Sequence, residues 1–395
     1  MSTNTSGLPF TEEEYKKRVM NTKVKMELRG IDALVVGEPA NMCYLTGYDA
    51  WSFYVPQAVI ILRNEEDPYW IGRLSDAAGA AITTYLPNEN ILGYPEDYVQ
   101  STWKHPFDFV GHWLREVLKY GSVIGTELDA YYYSTASQFA LEKFCKGMVF
   151  ADATNLVNWV RIKKSKKELF YMKQAAQIVQ KSMQAAIDNI NPGVRQCDAV
   201  AEIYKAQIYG TEDFGGDYTS IVPLLPTGKG SSAPHITWSD SKFKNGEATI
   251  IEIAGARHHY HCPLARTIHL GTPPARMSEL ADAMVAGVDE VLSIIKPGIT
   301  GEEVEAVWKT IIKRWGFEKD TRLGYSIGLN YPPDWGEHTI SIRPGDRTPL
   351  EENMTFHIMP GIWLDDWGVE ISEPVVITKD GAERLTNFER RLIIK

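Results

Sequence analysis

Residues 249–271 read TIIEIAGARHHYHCPLARTIHLG, two apolar runs separated by a polar turn. The pattern predicts strand, turn, strand. Glu252 stands inside the first run among Ile250, Ile251 and Ile253, so that strand is expected to be buried. A carboxylate in a buried strand is costly unless it is paired or functional. Two readings are open for Glu252: a structural carboxylate bonded to backbone or to His258, His259 or His261, and a working group in a site.

Upstream of this hairpin the chain divides. The phrase WVRIKKSKK at 159–167 marks a boundary, and two domains are expected, residues 1–155 and 156–395. Ser165 stands three residues before Glu168, the spacing of a capping box. The amphipathic stretch ELFYMKQAAQIVQKSMQAAIDNI follows and stops at Asn191-Pro192-Gly193, which predicts a helix with a clear end. A second helical phrase ends at Lys296-Pro297-Gly298, about 105 residues on, and each phrase is followed by a further helical pattern. The repetition predicts an internally duplicated C-terminal domain. In the first domain, residues 11–30 and 106–120 predict helices, 31–37 and 123–127 predict strands, and 57–72 predict two strands around a turn. Strands alternating with helices give an α/β class, in the broader α+β sense for the whole chain.

The composition is ordinary for a globular chain of 395 residues: 44% apolar, 23% charged, net charge −10. Basic residues cluster only at Lys163–Lys167, which argues against nucleic acid as a partner. Cys43, Cys145, Cys197 and Cys262 are scattered, so neither a disulfide framework nor a structural zinc site is expected. The opening MSTNTSGLPFTEEEYKKR is not a secretory signal, and no run of 18 apolar residues occurs; a cytoplasmic protein with no membrane partner is the expectation.

The boundary phrase RIKKSKKEL, the hairpin at 249–271, and NMTFHIMPGIW followed by GVEISEPVVITKDGAERLT resemble the pita-bread fold of creatinase, prolidase, aminopeptidase P and methionine aminopeptidase. The resemblance covers residues 155–395, and the first domain fits the smaller creatinase-type domain. Peptidases of this fold hold two metal ions with two Asp, one His and two Glu. The matching positions here are Glu252, Pro263, Tyr325, Met359 and Ser372, with Glu373 beside the last. Pro and Met offer no hard oxygen ligand, so the resemblance implies no metal and no cofactor.

Creatinase hydrolyses carbon–nitrogen bonds on this fold without metal, using a His ahead of the hairpin. The corresponding residue is His235, in GKGSSAPHITWSD, for which a structural role is the alternative. Aromatic residues crowd three loops, YDAWSFYVPQ, PPDWGEH and HIMPGIWLDDW, and core packing or a dimer interface would explain them equally. Yet Trp51, Trp335, Trp363 and Trp367 lie among Gly, Pro and Asp, and two such rings facing one pocket make a cage for a delocalised cation. These loops resemble family members that open small cyclic amidinium rings. Glu252 and His235 are therefore the expected catalytic pair. Trp51, Tyr54 and Trp363 are expected to bind substrate, with His338, His357 and Glu373 on the polar rim.

The resemblance also implies a homodimer, and an acetylated product would call for a downstream deacetylase. Other readings remain: a creatinase-like amidinohydrolase, a non-catalytic binding module, and a metallopeptidase whose ligands lie elsewhere.

Overall fold

The computed structural model describes residues 7–395; residues 1–6 of the opening segment lie outside the described residues. The chain forms two compact units, Met1–Arg161 and Ile162–Lys395. The helix Leu156–Arg161, which sequence reading put in the second domain, thus packs in the first. There Arg161 Nε donates to Asn41 Oδ1 at 2.9 Å, and Asn41 Nδ2 donates to Asn158 Oδ1 at 2.8 Å.

The first unit contains helices α1 (Glu12–Leu28), α2 (Pro39–Thr46), α3 (Ala77–Thr83), α4 (Pro106–Val117), α5 (Thr135–Phe144) and α6 (Leu156–Arg161). Its strands are β1 (Ala33–Val36), β2 (Ala58–Leu62), β3 (Tyr69–Arg73), β4 (Ile91–Tyr94), β5 (Val123–Thr126) and β6 (Val149–Asp152). They form one mixed sheet in the order β4-β3-β2-β1-β5-β6. Central β1, ALVV, is buried along its whole length, as a strand covered on both faces must be. α1 begins where Thr11 accepts from the Glu14 N–H at 3.3 Å, with Glu12, Glu13 and Glu14 favourably placed on the helix dipole.

The second unit repeats one theme: a helix pair followed by antiparallel strands. First come α7 (Lys166–Asn189), α8 (Gln196–Tyr209) and the hairpin β7 (Ala248–Arg257) and β8 (Tyr260–His269). Then come α9 (Ala275–Ile294), α10 (Gly301–Arg314) and β9 (Gly324–Ile327) through β10 (Gly336–Ile342), β11 (Thr355–Ile358), β12 (Gly361–Trp363), β13 (Gly368–Glu370), β14 (Glu373–Thr378), β15 (Gly381–Arg384) and β16 (Ile393–Ile394). Strands β10-β9-β11-β14-β15 form an antiparallel sheet, β12 pairs with β13, and β16-β8-β7 form a third.

α7 starts at the capping box read from sequence: Ser165 Oγ accepts from the Glu168 N–H, and the Glu168 carboxylate accepts from the Ser165 N–H at 2.7 Å. Its apolar face, Ala175, Ala176, Val179, Met183 and Ala186, packs on Ile251, Ile253, Cys262, Leu264 and Ile268 of the hairpin. Helix and strand meet so closely that a Cβ on Gly255 would stand 2.2 Å from the Ala175 carbonyl oxygen. Because side chains alternate along a strand, Ile251 and Ile253 face α7 and Glu252 points to the opposite side. The hairpin is fastened from behind by the buried guanidinium of Arg266, which donates to the carbonyls of Ser372 at 2.7 Å, Glu389 at 2.5 Å and Phe388 at 3.2 Å. Among the described residues, no helix is long and apolar enough to cross a membrane.

Candidate active site

Glu252 sits in mid-strand on β7, opposite Ala265 of β8, and is 6% exposed. Its backbone is fully used, exchanging hydrogen bonds with Leu224 at 3.0 and 3.1 Å. Its carboxylate has no hydrogen-bond partner among the described residues. The bonded structural carboxylate, one of the two readings left open by sequence, is therefore not what the fold builds. His261, one of its proposed partners, is already committed: the Ser220 N–H donates to Nε2 at 2.9 Å, and Nδ1 lies 2.8 Å from the His259 carbonyl. Burial, with the negative charge of Asp334 added, raises the Glu252 pKa to about 7.

Three further charged groups share this field. Burial works to raise the Asp334 carboxyl, but hydrogen bonds from His338, at 2.8 Å, and from the Gly336 N–H outweigh it and hold it below its usual value. Glu370, on β13, is pushed well above the ordinary range by burial and then by the charge of Glu252. Burial lowers Lys319 to about 8 against the attraction of Glu370, while its Nζ donates to the Gly361 carbonyl at 2.8 Å and lies 5.3 Å from the Trp363 ring centre. Two buried polar atoms here have no partner among the described residues, the Trp363 indole N–H and Glu370 Oε1. With Glu252, these are groups a ligand could satisfy.

A continuous hydrogen-bonded chain runs beside Glu252. Its cross-strand neighbour Ala265 donates its N–H to Ser372 Oγ at 2.7 Å, and Ser372 Oγ lies 2.7 Å from His357 Nε2. His357 Nδ1 lies 3.0 Å from the Tyr325 hydroxyl, which accepts from Trp335 Nε1 at 2.7 Å. Burial, then the positive charges of Arg322 and Arg266, lower His357 to about 3, so the imidazole is neutral.

The expected site residues fall into three groups. His338 is exposed and paired with Asp334, Trp363 lies over the β12–β13 hairpin, and Glu252 is as described. Two of the expected rim residues are buried with their polar atoms engaged. Glu373 is fully buried, with Arg384 and Arg390 on one carboxylate oxygen at 2.9 and 3.0 Å and Thr386 on the other at 2.5 Å; its acceptors are spent on holding the C-terminal strands. His357 is wholly buried and can act only through Tyr325. Trp335 is likewise buried despite its Gly- and Pro-rich surroundings, and its N–H serves Tyr325.

His235 lies on an exposed loop at φ +63°, following the turn Gly228–Ser232, and its ring makes no hydrogen bond to a described residue. Trp51 and Tyr54 belong to the first unit, in the turns after α2, at 60% and 61% exposure; the Trp51 ring packs 4.7 Å from Phe53. Sequence reading did not single out Lys319 or Glu370. Lys319 lies in a charged run that reads as solvated. Glu370 carried one signal, a carboxylate two residues from Ser372.

The donor set does not fit a dinuclear metal centre. Of the five positions, Pro263 and Met359 have no hard donor, and Tyr325 and Ser372 are tied to each other through His357. Among the described residues no group of three or more His, Cys, Asp or Glu could hold a metal ion.

Comparison with known proteins agrees with this architecture. Residues 18–163 match the creatinase/prolidase N-terminal domain and residues 171–379 match metallopeptidase family M24. An ectoine hydrolase of Halomonas elongata is 44% identical over 98% of this chain and 99% of its own. A Xaa-Pro dipeptidase of Pyrococcus furiosus is 26% identical over 96% of this chain and all of its own. The prolidase of Thermococcus sibiricus shares the fold, with a TM-score of 0.84 at 21% identity, covering 96% of this chain and 99% of that one. With both of its units matched and its hairpin, helix pairs and sheet order accounted for, the chain belongs to metallopeptidase family M24, with the creatinase/prolidase N-terminal domain preceding the pita-bread domain.

Proposed function

We propose that this chain hydrolyses ectoine, adding water across the amidine so that one ring C–N bond opens and N-acetyl-2,4-diaminobutyrate is formed. The observation that carries the reading is Glu252, a buried carboxylate with no hydrogen-bond partner among the described residues, titrating at about 7 in a chain 44% identical to an ectoine hydrolase. An amidinium supplies the charge that Glu252 lacks, so binding the substrate also ionises the group that acts on it.

Glu252 then attacks the amidine carbon or takes a proton from a water that does, and His235 carries the proton to the departing nitrogen. The protonated amidine is already electrophilic, and the ill-fitting donor set supports a reaction without metal. Trp363 offers an aromatic face to the planar cation. On this reading the enzyme works in the cytoplasm as a homodimer, and the acetyl group left on the product calls for a deacetylase next.

The test is incubation of purified protein with ectoine, with and without chelator, followed by mass spectrometry. Gain of one water at equal rates in both arms is expected. No turnover of ectoine, or activity lost on chelation together with two equivalents of bound metal, overturns the reading; cleavage of Xaa-Pro dipeptides would then point to a peptidase.

A further inference from the structure

The chain Ala265–Ser372–His357–Tyr325–Trp335 contains a proton count that fixes its direction. The Ala265 N–H and the Trp335 indole N–H can only donate, so each end of the chain pushes a hydrogen inward, onto Ser372 Oγ and Tyr325 Oη. Between them lie two hydrogen bonds, at 2.7 and 3.0 Å, and three hydrogens: one on Ser372, one on the neutral imidazole and one on Tyr325. One hydroxyl hydrogen must therefore be left over.

If Tyr325 donates to His357 Nδ1, the imidazole donates from Nε2 and the surplus hydrogen belongs to Ser372. Ser372 is completely buried, and its only acceptor among the described residues is His357 Nε2. That arrangement strands a buried donor, which is costly. In the opposite arrangement Ser372 donates to Nε2 and His357 donates from Nδ1 to Tyr325. The phenol oxygen then accepts twice, and its own O–H is the hydrogen left over. Tyr325 retains 6% exposure, and the charge of Glu252 bears on it.

We propose that Tyr325 is a preset hydrogen-bond donor in the Glu252 site, with Ser372 and His357 as the positioning residues that turn its hydroxyl outward. The role rests on the reading of Glu252 given above. By either route the oxygen that joins the substrate carbon comes from Glu252 or from a water it holds. That oxygen is the acceptor the Tyr325 O–H meets: the bond holds the carboxylate or the water facing the substrate carbon, and in the water route it strengthens as Glu252 takes the proton. No atom leaves Tyr325; it donates a hydrogen bond and keeps its proton.

The arrangement is tested without substrate by ¹⁵N NMR of histidine-labelled protein, with His357 assigned by its loss in His357→Asn. The expected wild-type form carries hydrogen on Nδ1 with Nε2 as acceptor, and Ser372→Ala shifts the Nε2 resonance to that of a nitrogen with no donor on it. Hydrogen on Nε2 in the wild type, or an Nε2 resonance indifferent to Ser372→Ala, overturns the proposal whether or not ectoine is the substrate.

Kinetics give the second reading. Removing one such donor costs about 10²–10³ in kcat, so Tyr325→Phe should lose that much with KM little changed. Ser372→Ala should follow in part, and Ser372→Thr should restore activity. Full kcat in a folded Tyr325→Phe variant overturns the donor role, while a wild type that ignores ectoine removes only the proposed reaction.

Discussion

Replacing Glu252 by Gln should inactivate the enzyme and stabilise it at the same time. A glutamate in an unfolded chain titrates near about 4.3, whereas Glu252 in the folded chain titrates at about 7. The folded state thus holds the proton more tightly. The contribution of this group to stability is most favourable below about pH 4.3, declines from there to about pH 7, and is fully unfavourable above that. Between two and three pKa units at about 1.4 kcal/mol each is roughly 3 kcal/mol of penalty at alkaline pH. An amide in the same place leaves polar atoms unpaired, costing about 1 kcal/mol, so Glu252→Gln should gain about 2 kcal/mol at pH 8. For a unit of this size that is a rise in Tm of roughly 4–8 °C, vanishing toward pH 5. Its kcat should fall by several orders of magnitude, since an amide is neither base nor nucleophile. The assay is calorimetry from pH 5 to 9 beside steady-state kinetics. A variant keeping more than about a tenth of kcat, a barrier change under roughly 1.4 kcal/mol, or one less stable than wild type at pH 8, would refute the reasoning.

Activity should rise with pH through an apparent pKa near the Glu252 value of about 7, because in the proposed mechanism the ionised carboxylate is the working form. Asp334→Asn removes a charge that raises it, and should move this limb of the kcat/KM profile to lower pH; an unmoved limb assigns it to another group. Gly255→Ala puts a methyl 2.2 Å from the Ala175 carbonyl and should cost roughly 1–3 kcal/mol in thermal unfolding, with a cost near zero showing that α7 can back away. Trp363→Ala should raise KM about tenfold, or roughly 1–2 kcal/mol for a lost cation–π face, and an unchanged KM would place Trp363 outside the site.

The fold was legible where local chemistry and periodicity agree. The capping box Ser165–Glu168, the Pro-Gly stop after Asn191 and the alternating hairpin around Glu252 each state their structure within a few residues. At the candidate site the burial of Glu252 was legible, because a carboxylate among isoleucines is conspicuous in any window. It was not legible where partners meet only after folding. Glu373 became a counter-ion to Arg384 and Arg390, and nothing beside it in sequence shows that both arginines return to one of its oxygens. Trp335 was misjudged because Gly and Pro mark a turn without saying which way its side chains face. Lys319 looks solvated in its charged run, yet its amine is buried against a carbonyl 42 residues ahead.

The grip of Arg266 on the far end of the chain carries a consequence for biosynthesis. The ribosome completes the strand bearing Glu252 long before it makes the carbonyl of Phe388, which lies 122 residues beyond Arg266. Throughout that interval the guanidinium lacks the partners that make its burial tolerable, and β8 lacks β16. The nascent hairpin therefore stays open to water, and to chaperones, until residues 388–394 have been made. A product released before that point by stalling carries Glu252 on a hairpin that lacks these partners.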